Sequence, residues 1–221
     1  MNMNNKKTIG IIGATGNMGS ALSKSLARAG FPLLVYGRDR EEVRSLMEEL
    51  QGSKSSSKIQ DKPSIQDVTK EADVIILAVP YQAERELANQ MRDLVTQKIV
   101  VSISNPLNDT YDALVTDPDT SAAEELQKAL PDATVVKSFN TVFAADYAQP
   151  DIDGKKVDAF IAGDDERAVE EMEEIVKAMG LNPLVAGSLS TSRTLENMQL
   201  LLIQLNMKNN YNWRAGWKIL H

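Results

Sequence analysis

The residues with the clearest chemical arrangement are the glycines of Gly13-Ala14-Thr15-Gly16-Asn17-Met18-Gly19. They stand directly between a β-branched run, Thr8–Ile12, and a stretch with helical periodicity. In that setting the spacing points to a phosphate-binding turn. Gly13 allows the sharp bend, the bare backbone at Gly16 lets a pyrophosphate approach, and Gly19 lets helix and strand pack closely. The unpaired N–H groups and positive dipole end of the helix then face the phosphates. A tight strand–helix turn without a ligand is the plain alternative.

The end of the second strand selects the dinucleotide. An NAD site usually carries Asp or Glu there, accepting from the ribose hydroxyls. This chain has Tyr36-Gly37-Arg38-Asp39-Arg40. Gly37 leaves room for a 2′-phosphate, Arg38 can pair with it and stack on adenine, and Thr15 adds a hydroxyl donor. Asp39 dissents, unless it caps the next helix. NADP(H) is therefore the expected cofactor, with a solvated surface role for Arg38 as the alternative.

Composition removes other chemistries. There is no cysteine, and the single histidine is the last residue, His221. A thiolate nucleophile, a Cys/His zinc site and an iron–sulfur cluster are excluded, and no metal site is expected. The formal charge is −7, from 24 Lys+Arg against 31 Asp+Glu, without a basic run, so no nucleic-acid partner is expected. No run approaches the roughly 20 apolar residues of a membrane span. No apolar stretch of signal-peptide length precedes Gly10, which favours the cytoplasm.

Short β-branched runs alternate with helical periodicity along the chain, the pattern of an α/β fold with a mainly parallel sheet. Strands are expected at 8–12, 33–36, 58–60, 73–79, 98–102, 134–136, 157–162 and 184–186. Helices are expected at 17–29, from Asp39 to Leu50, and at 64–71, 82–94, 121–130 and 165–179. Residues 51–57 read as a flexible surface loop. Ser190 or a neighbour should cap a last helix reaching about Lys208. Its apolar groups fall on more than one stripe, so it should be buried on several sides, as a core element, a dimer contact or a wall of the cleft. Residues 1–137 form the expected doubly wound Rossmann domain. Residues 138–221 form a smaller C-terminal α/β lobe that closes the cleft and ends in the buried helix.

Taken together, GATGNMG, the Gly37-Arg38 pair, AVPYQA (78–83), SNP (104–106), VVKSFNTVFA (135–144), AGDD (162–165) and GSLSTSRTLENM (187–198) resemble the NADP-dependent reductases of the deazaflavin coenzyme F-420. The pattern is also similar to the NADPH-binding domain of six-transmembrane ferric reductases, to which VVKSFN and SNP are closer. The resemblance covers residues 9–217. It implies NADPH phosphates at Thr15, Gly16, Asn17 and Met18, and the 2′-phosphate at Arg38. It implies nicotinamide near Ala78, Val79, Pro80 and Asn105, with a second, isoalloxazine-like ring near Asn140 and the residues after it. The deazaflavin reductases carry His where this chain has Asn140, and Pro where it has Phe143. Asn140 can still donate to a ring carbonyl, and Phe143 can line or fill the pocket; ordinary core packing is the alternative for both.

Hydride exchange between NADP(H) and a flavin-like acceptor (coenzyme F-420, FMN or FAD) needs no imidazole, because the rings carry the chemistry. Reduction of a small imine or carbonyl normally needs a proton donor, for which Tyr81 and Lys137 are the candidates. A non-catalytic NADPH-binding sensor or partner module is the third reading. Positioning by Pro80, Asn105 and Asn140 is expected to matter more than any acid–base residue, and a homodimer is expected.

Overall fold

The computed structural model describes residues 6–52 and 58–220. Residues 53–57, most of the serine-rich stretch expected as a loop, and His221 lie outside the described residues. Gln51 and Gly52, expected in that loop, instead complete the second helix.

The chain begins with β1 (Ile9–Ile12), α1 (Asn17–Arg28), β2 (Leu33–Tyr36), α2 (Arg40–Gly52), β3 (Ile59–Asp61) and α3 (Ile65–Glu71). Next come β4 (Val74–Leu77), α4 (Tyr81–Met91), β5 (Ile99–Ser102), α5 (Ala122–Ala129) and β6 (Thr134–Ser138). These six strands are parallel and run β3-β2-β1-β4-β5-β6 across the sheet, the order of a doubly wound dinucleotide-binding fold.

Both faces of the sheet are covered, which is why its strands read as nearly unbroken apolar runs. Strand alternation divides the side chains. Ile11, Val35, Ile76, Val101 and Val136 share one register row and pack with Leu22 and Leu26 of α1 and Leu46 and Leu50 of α2. Leu34, Ile75, Val100 and Val135 face the other way, onto Val68, Leu87, Met91 and Leu126 of α3, α4 and α5.

A small hairpin follows, β7 (Asp151–Ile152) and β8 (Lys155–Lys156), then β9 (Asp158–Gly163), α6 (Glu166–Ala178), β10 (Asn182–Gly187) and α7 (Ser192–Asn209). β9 joins the edge at β6 antiparallel, and β10 lies parallel to β9, so the chain after residue 137 extends the same eight-stranded sheet.

Two expectations about α7 are corrected. A 3-10 turn, Leu189–Thr191, feeds the helix, so its N-cap Thr191 is already helical (φ −64°, ψ −16°) and makes no side-chain cap; the Ser188 and Ser190 hydroxyls pair with each other at 2.9 Å. The helix is also not buried on several sides: Leu201, Leu205 and Met207 are exposed. No described helix is long and apolar enough to cross a membrane.

Candidate functional site

The glycine turn is held to its shape by close approach. Gly13 has φ +85°, and a Cβ on it would lie 2.3 Å from the Ala78 carbonyl oxygen. A Cβ on Gly19 would lie 2.1 Å from the Gly13 carbonyl oxygen. The turn therefore rests on the residues leaving β4, with α1 pressed onto it. Helices α3, α5 and α6 each begin with a side-chain cap, from Ser64, Ser121 and Asp165, and an acidic residue in the first turn. α1 has neither: its N-cap is Gly16. Its first amides are left to a ligand or solvent, which fits a phosphate.

At the end of β2 the charged residues divide their work. Asp39 Oδ1 accepts from the amides of Glu41 (2.8 Å) and Glu42 (3.2 Å), so it caps α2. Arg40 is tied to Asp61 (2.5 Å) and the Lys62 carbonyl (3.0 Å). Arg38 is exposed. The space beside Gly37 is filled rather than open: a Cβ there would sit 2.8 Å from Thr15 Cγ2 and 2.9 Å from Val43 Cγ2. Gly37 thus lets Thr15 pack against the end of β2, next to Arg38.

A cavity of about 900 Å³ runs from this turn toward α7. Its wall gathers Thr15, Gly16, Asn17, Met18, Asn105, Asn140 and Phe143 from the sites expected in the sequence. Gly13, Ala78 and Val79 lie beneath the turn, while Gly37, Arg38 and Pro80 stand outside this wall; Pro80 is the N-cap of α4 and is exposed. All of these except Phe143 lie at or just beyond the C-terminal ends of adjacent parallel strands, where such sheets bind ligands.

Asn140 is positioned with strain. The preceding Phe139 is buried in the left-handed region at φ +65°, a conformation costing on the order of 1–3 kcal/mol for such a residue. Asn140 Nδ2 donates to Asn105 Oδ1 (3.0 Å) and to the Leu195 carbonyl (3.1 Å), while Asn105 Nδ2 donates to the Asn140 carbonyl (3.1 Å). The expected role of Asn140 as a donor to a ring carbonyl is therefore corrected: its two N–H groups are taken by the protein, and the unpartnered atom is its acceptor, Oδ1. Gln199, on the inward face of α7, lines the same cavity and also leaves its carbonyl Oε1 unpartnered. Both residues are almost fully buried, Asn140 at 2% and Gln199 at 3% exposure. A buried acceptor without a donor costs on the order of 1–3 kcal/mol, so the wall fits a ligand that presents N–H or O–H groups. Gln199 was missed in the sequence; its one signal is a polar residue within Met198–Leu202, an otherwise apolar run. Phe143 does both things expected of it, lining the cavity and packing with Leu202, Ile203 and, edge-on at 5.4 Å, Trp213.

Neither candidate proton donor lines this cavity. Lys137 is fully buried, with Nζ bonded to Glu196 Oε1 and to the Ser104 carbonyl, each at 2.6 Å. Tyr81 donates to Glu125 Oε2 at 2.6 Å, and burial, then that bond, push its hydroxyl pKa up. It lines a second cavity of about 460 Å³ with Glu84, Arg85 and Lys128. Burial pushes the Glu84 carboxyl up to about 7, against the pull of the Lys137 ammonium. No cluster of three or more metal-ligating side chains occurs among the described residues.

Residues 8–106 match the family described as NADP oxidoreductase, coenzyme F420-dependent. The F420-dependent NADP reductase of Methanocaldococcus jannaschii is 30% identical over 215 residues, covering 90% of this chain and 92% of that protein. The metalloreductase STEAP3 of Rattus norvegicus is 30% identical over 201 residues, which are 88% of this chain but 37% of that protein. A crystal structure from Arthrobacter sp. FB24, provisionally assigned as an F420-dependent NADP reductase, superposes with a TM-score of 0.85 at 22% identity, covering 96% and 99% of the two chains, and establishes the fold.

Proposed function

The chain belongs to the F420-dependent NADP reductase family and is an NADP-dependent oxidoreductase, and on that premise we propose how its own residues serve hydride exchange with a flavin-like ring. The observation that carries the reading is one continuous cavity that starts at the dinucleotide turn and ends at Asn140 and Gln199, with no His, Asp or Glu among the described residues of its wall. The nicotinamide and the acceptor ring supply donor and acceptor of the hydride themselves. The protein's task is then to bind, orient and keep water out. The amides opening α1 and the Thr15 hydroxyl hold the phosphates, and Arg38 pairs with the 2′-phosphate. Val79, Pro80 and Asn105 flank the nicotinamide. Asn140 Oδ1 and Gln199 Oε1 accept from N–H groups of a ring, and Phe143 gives it an apolar floor.

Anaerobic stopped-flow absorbance at the NADPH band tests this, with deazaflavin, FMN and FAD offered separately. The expected result is oxidation of NADPH by at least one ring; no oxidation with any of them overturns it. Lys137 and Tyr81 point into other surroundings, so imine or carbonyl reduction in this cavity would have to draw its proton from Tyr111 or Lys24, which line the wall. The same reading includes cytoplasmic location, a division at 137/138 between cofactor and acceptor halves, and a homodimer that covers the face of α7 carrying the exposed Leu201 and Leu205. Light scattering on the purified chain tests the dimer, and a monomer at micromolar concentration contradicts it.

A further inference from the structure

The chain carries more acid than base, 31 against 24, yet the charged side chains in the wall of the large cavity are two cations, Lys24 and Arg28. They stand four residues apart on α1, on one face of the helix. At 1.5 Å per residue they lie roughly 10 and 16 Å along α1 from Asn17, far from the phosphate-binding turn. Across the cavity from them is the 3-10 turn Ala144–Tyr147, followed by Ala148. Arg28 Nη2 donates to the Tyr147 carbonyl at 2.5 Å, which fixes the guanidinium and leaves its other N–H groups for a ligand. Lys24 pairs with Glu49 at 2.5 Å, but both side chains are about half exposed, and an exposed pair of this kind is weak enough to exchange for another anion. The unpartnered acceptors of Asn140 and Gln199 in the same wall indicate independently that the cavity is built for a polar ligand.

We propose that this end of the cavity is an anion subsite: Lys24 and Arg28 take the negatively charged substituent, phosphate or carboxylate, of the ring acceptor whose head lies at Asn140 and Gln199. The proposal deepens the hydride-exchange reading and rests on it. It makes the preferred acceptor a ring with an acidic tail rather than a neutral one.

Riboflavin and FMN separate the two questions, because they share one ring and differ by one phosphate. Equilibrium binding to the NADP⁺-loaded protein is followed by flavin fluorescence at low ionic strength. FMN is expected to bind at least about tenfold more tightly than riboflavin, a preference that salt erodes. In Arg28→Met and Lys24→Met the FMN affinity falls toward that of riboflavin, while riboflavin binding is unchanged and so reports an intact fold. Equal binding of FMN and riboflavin by the wild type, or loss of both in the variants, overturns the anion subsite and leaves the hydride reading standing. Failure of both flavins and of deazaflavin to bind or be reduced overturns the reading and the subsite together.

Discussion

Asp39 and Arg38 are neighbours with opposite fates. Asp39 is turned to the α2 amides, so the carboxylate that recognises an unphosphorylated ribose is absent from the mouth of the site, and the exposed Arg38 is left there. Replacing Arg38 by Ala should raise the KM for NADPH roughly 10- to 100-fold, the loss of a charge-assisted pair, and leave NADH unaffected. Steady-state kinetics with the two nucleotides checks this, and equal effects on both contradict it. Gln199 offers a second residue-scale test. Gln199→Leu removes an acceptor that has no protein partner. Ring-acceptor affinity should fall roughly 3- to 10-fold, while the melting temperature holds or rises. A loss of both would make Gln199 structural. The place of Asn105 in the cavity wall was legible from its motif position, whereas Arg38 stands outside that wall. The free acceptor end of Asn140 was not legible, because which end of an amide is free depends on Leu195 and Asn105, which fold against it from distant sequence.

Three elements forming the back of the site meet at one ion pair. Lys137 of β6 bonds Glu196 of α7 and the Ser104 carbonyl after β5, and Glu196 also accepts from the Ala122 amide at 3.3 Å. Removing one partner leaves the other charge buried. Lys137→Met or Glu196→Gln should each cost about 3–5 kcal/mol, and the double replacement Lys137→Met/Glu196→Leu should recover most of it. Urea unfolding of the three variants measures this; a double variant as unstable as the sum of the singles contradicts it. Most elements were readable from periodicity and caps, as with Ser64 and Ser121 before α3 and α5. The β7–β8 hairpin was overlooked although Asp153-Gly154, both at positive φ, is a strong two-residue turn signal. Its strands are two residues each, too short for alternation to register. The entry to α7 was misread because a 3-10 turn does the work that a serine cap was expected to do.

For the molecule as a whole, the parallel order β3-β2-β1-β4-β5-β6 brings five distant sequence segments, those after β1, β2, β4, β5 and β6, to one edge. The alternating pattern made that sheet legible, but no periodicity reveals that β9 enters antiparallel and extends it. The same compactness leaves acidic groups buried. Burial pushes Glu84 up to about 7 from 4.5, and Asp146 up to about 6 from 3.8 despite Arg214 nearby. A raised carboxyl pKa means that the folded state holds its proton longer than the unfolded chain. The contribution is fully present below pH 4.5 and is lost as pH rises through 7. Glu84→Gln should therefore gain on the wild type by on the order of 3 kcal/mol between pH 4.5 and pH 8. Denaturant unfolding at the two pH values checks it, and a constant difference contradicts it.

The central claim is direct ring-to-ring transfer in one cavity. It is tested by giving the protein NADPH with deuterium at the transferable C4 position, plus oxidised deazaflavin, whose C5 is carbon and retains what it receives. Mass spectrometry of the reduced deazaflavin should show one deuterium per ring, without dilution from solvent. Reduced ring carrying only solvent hydrogen, or tight NADPH binding with no reduced ring at all, would contradict the account.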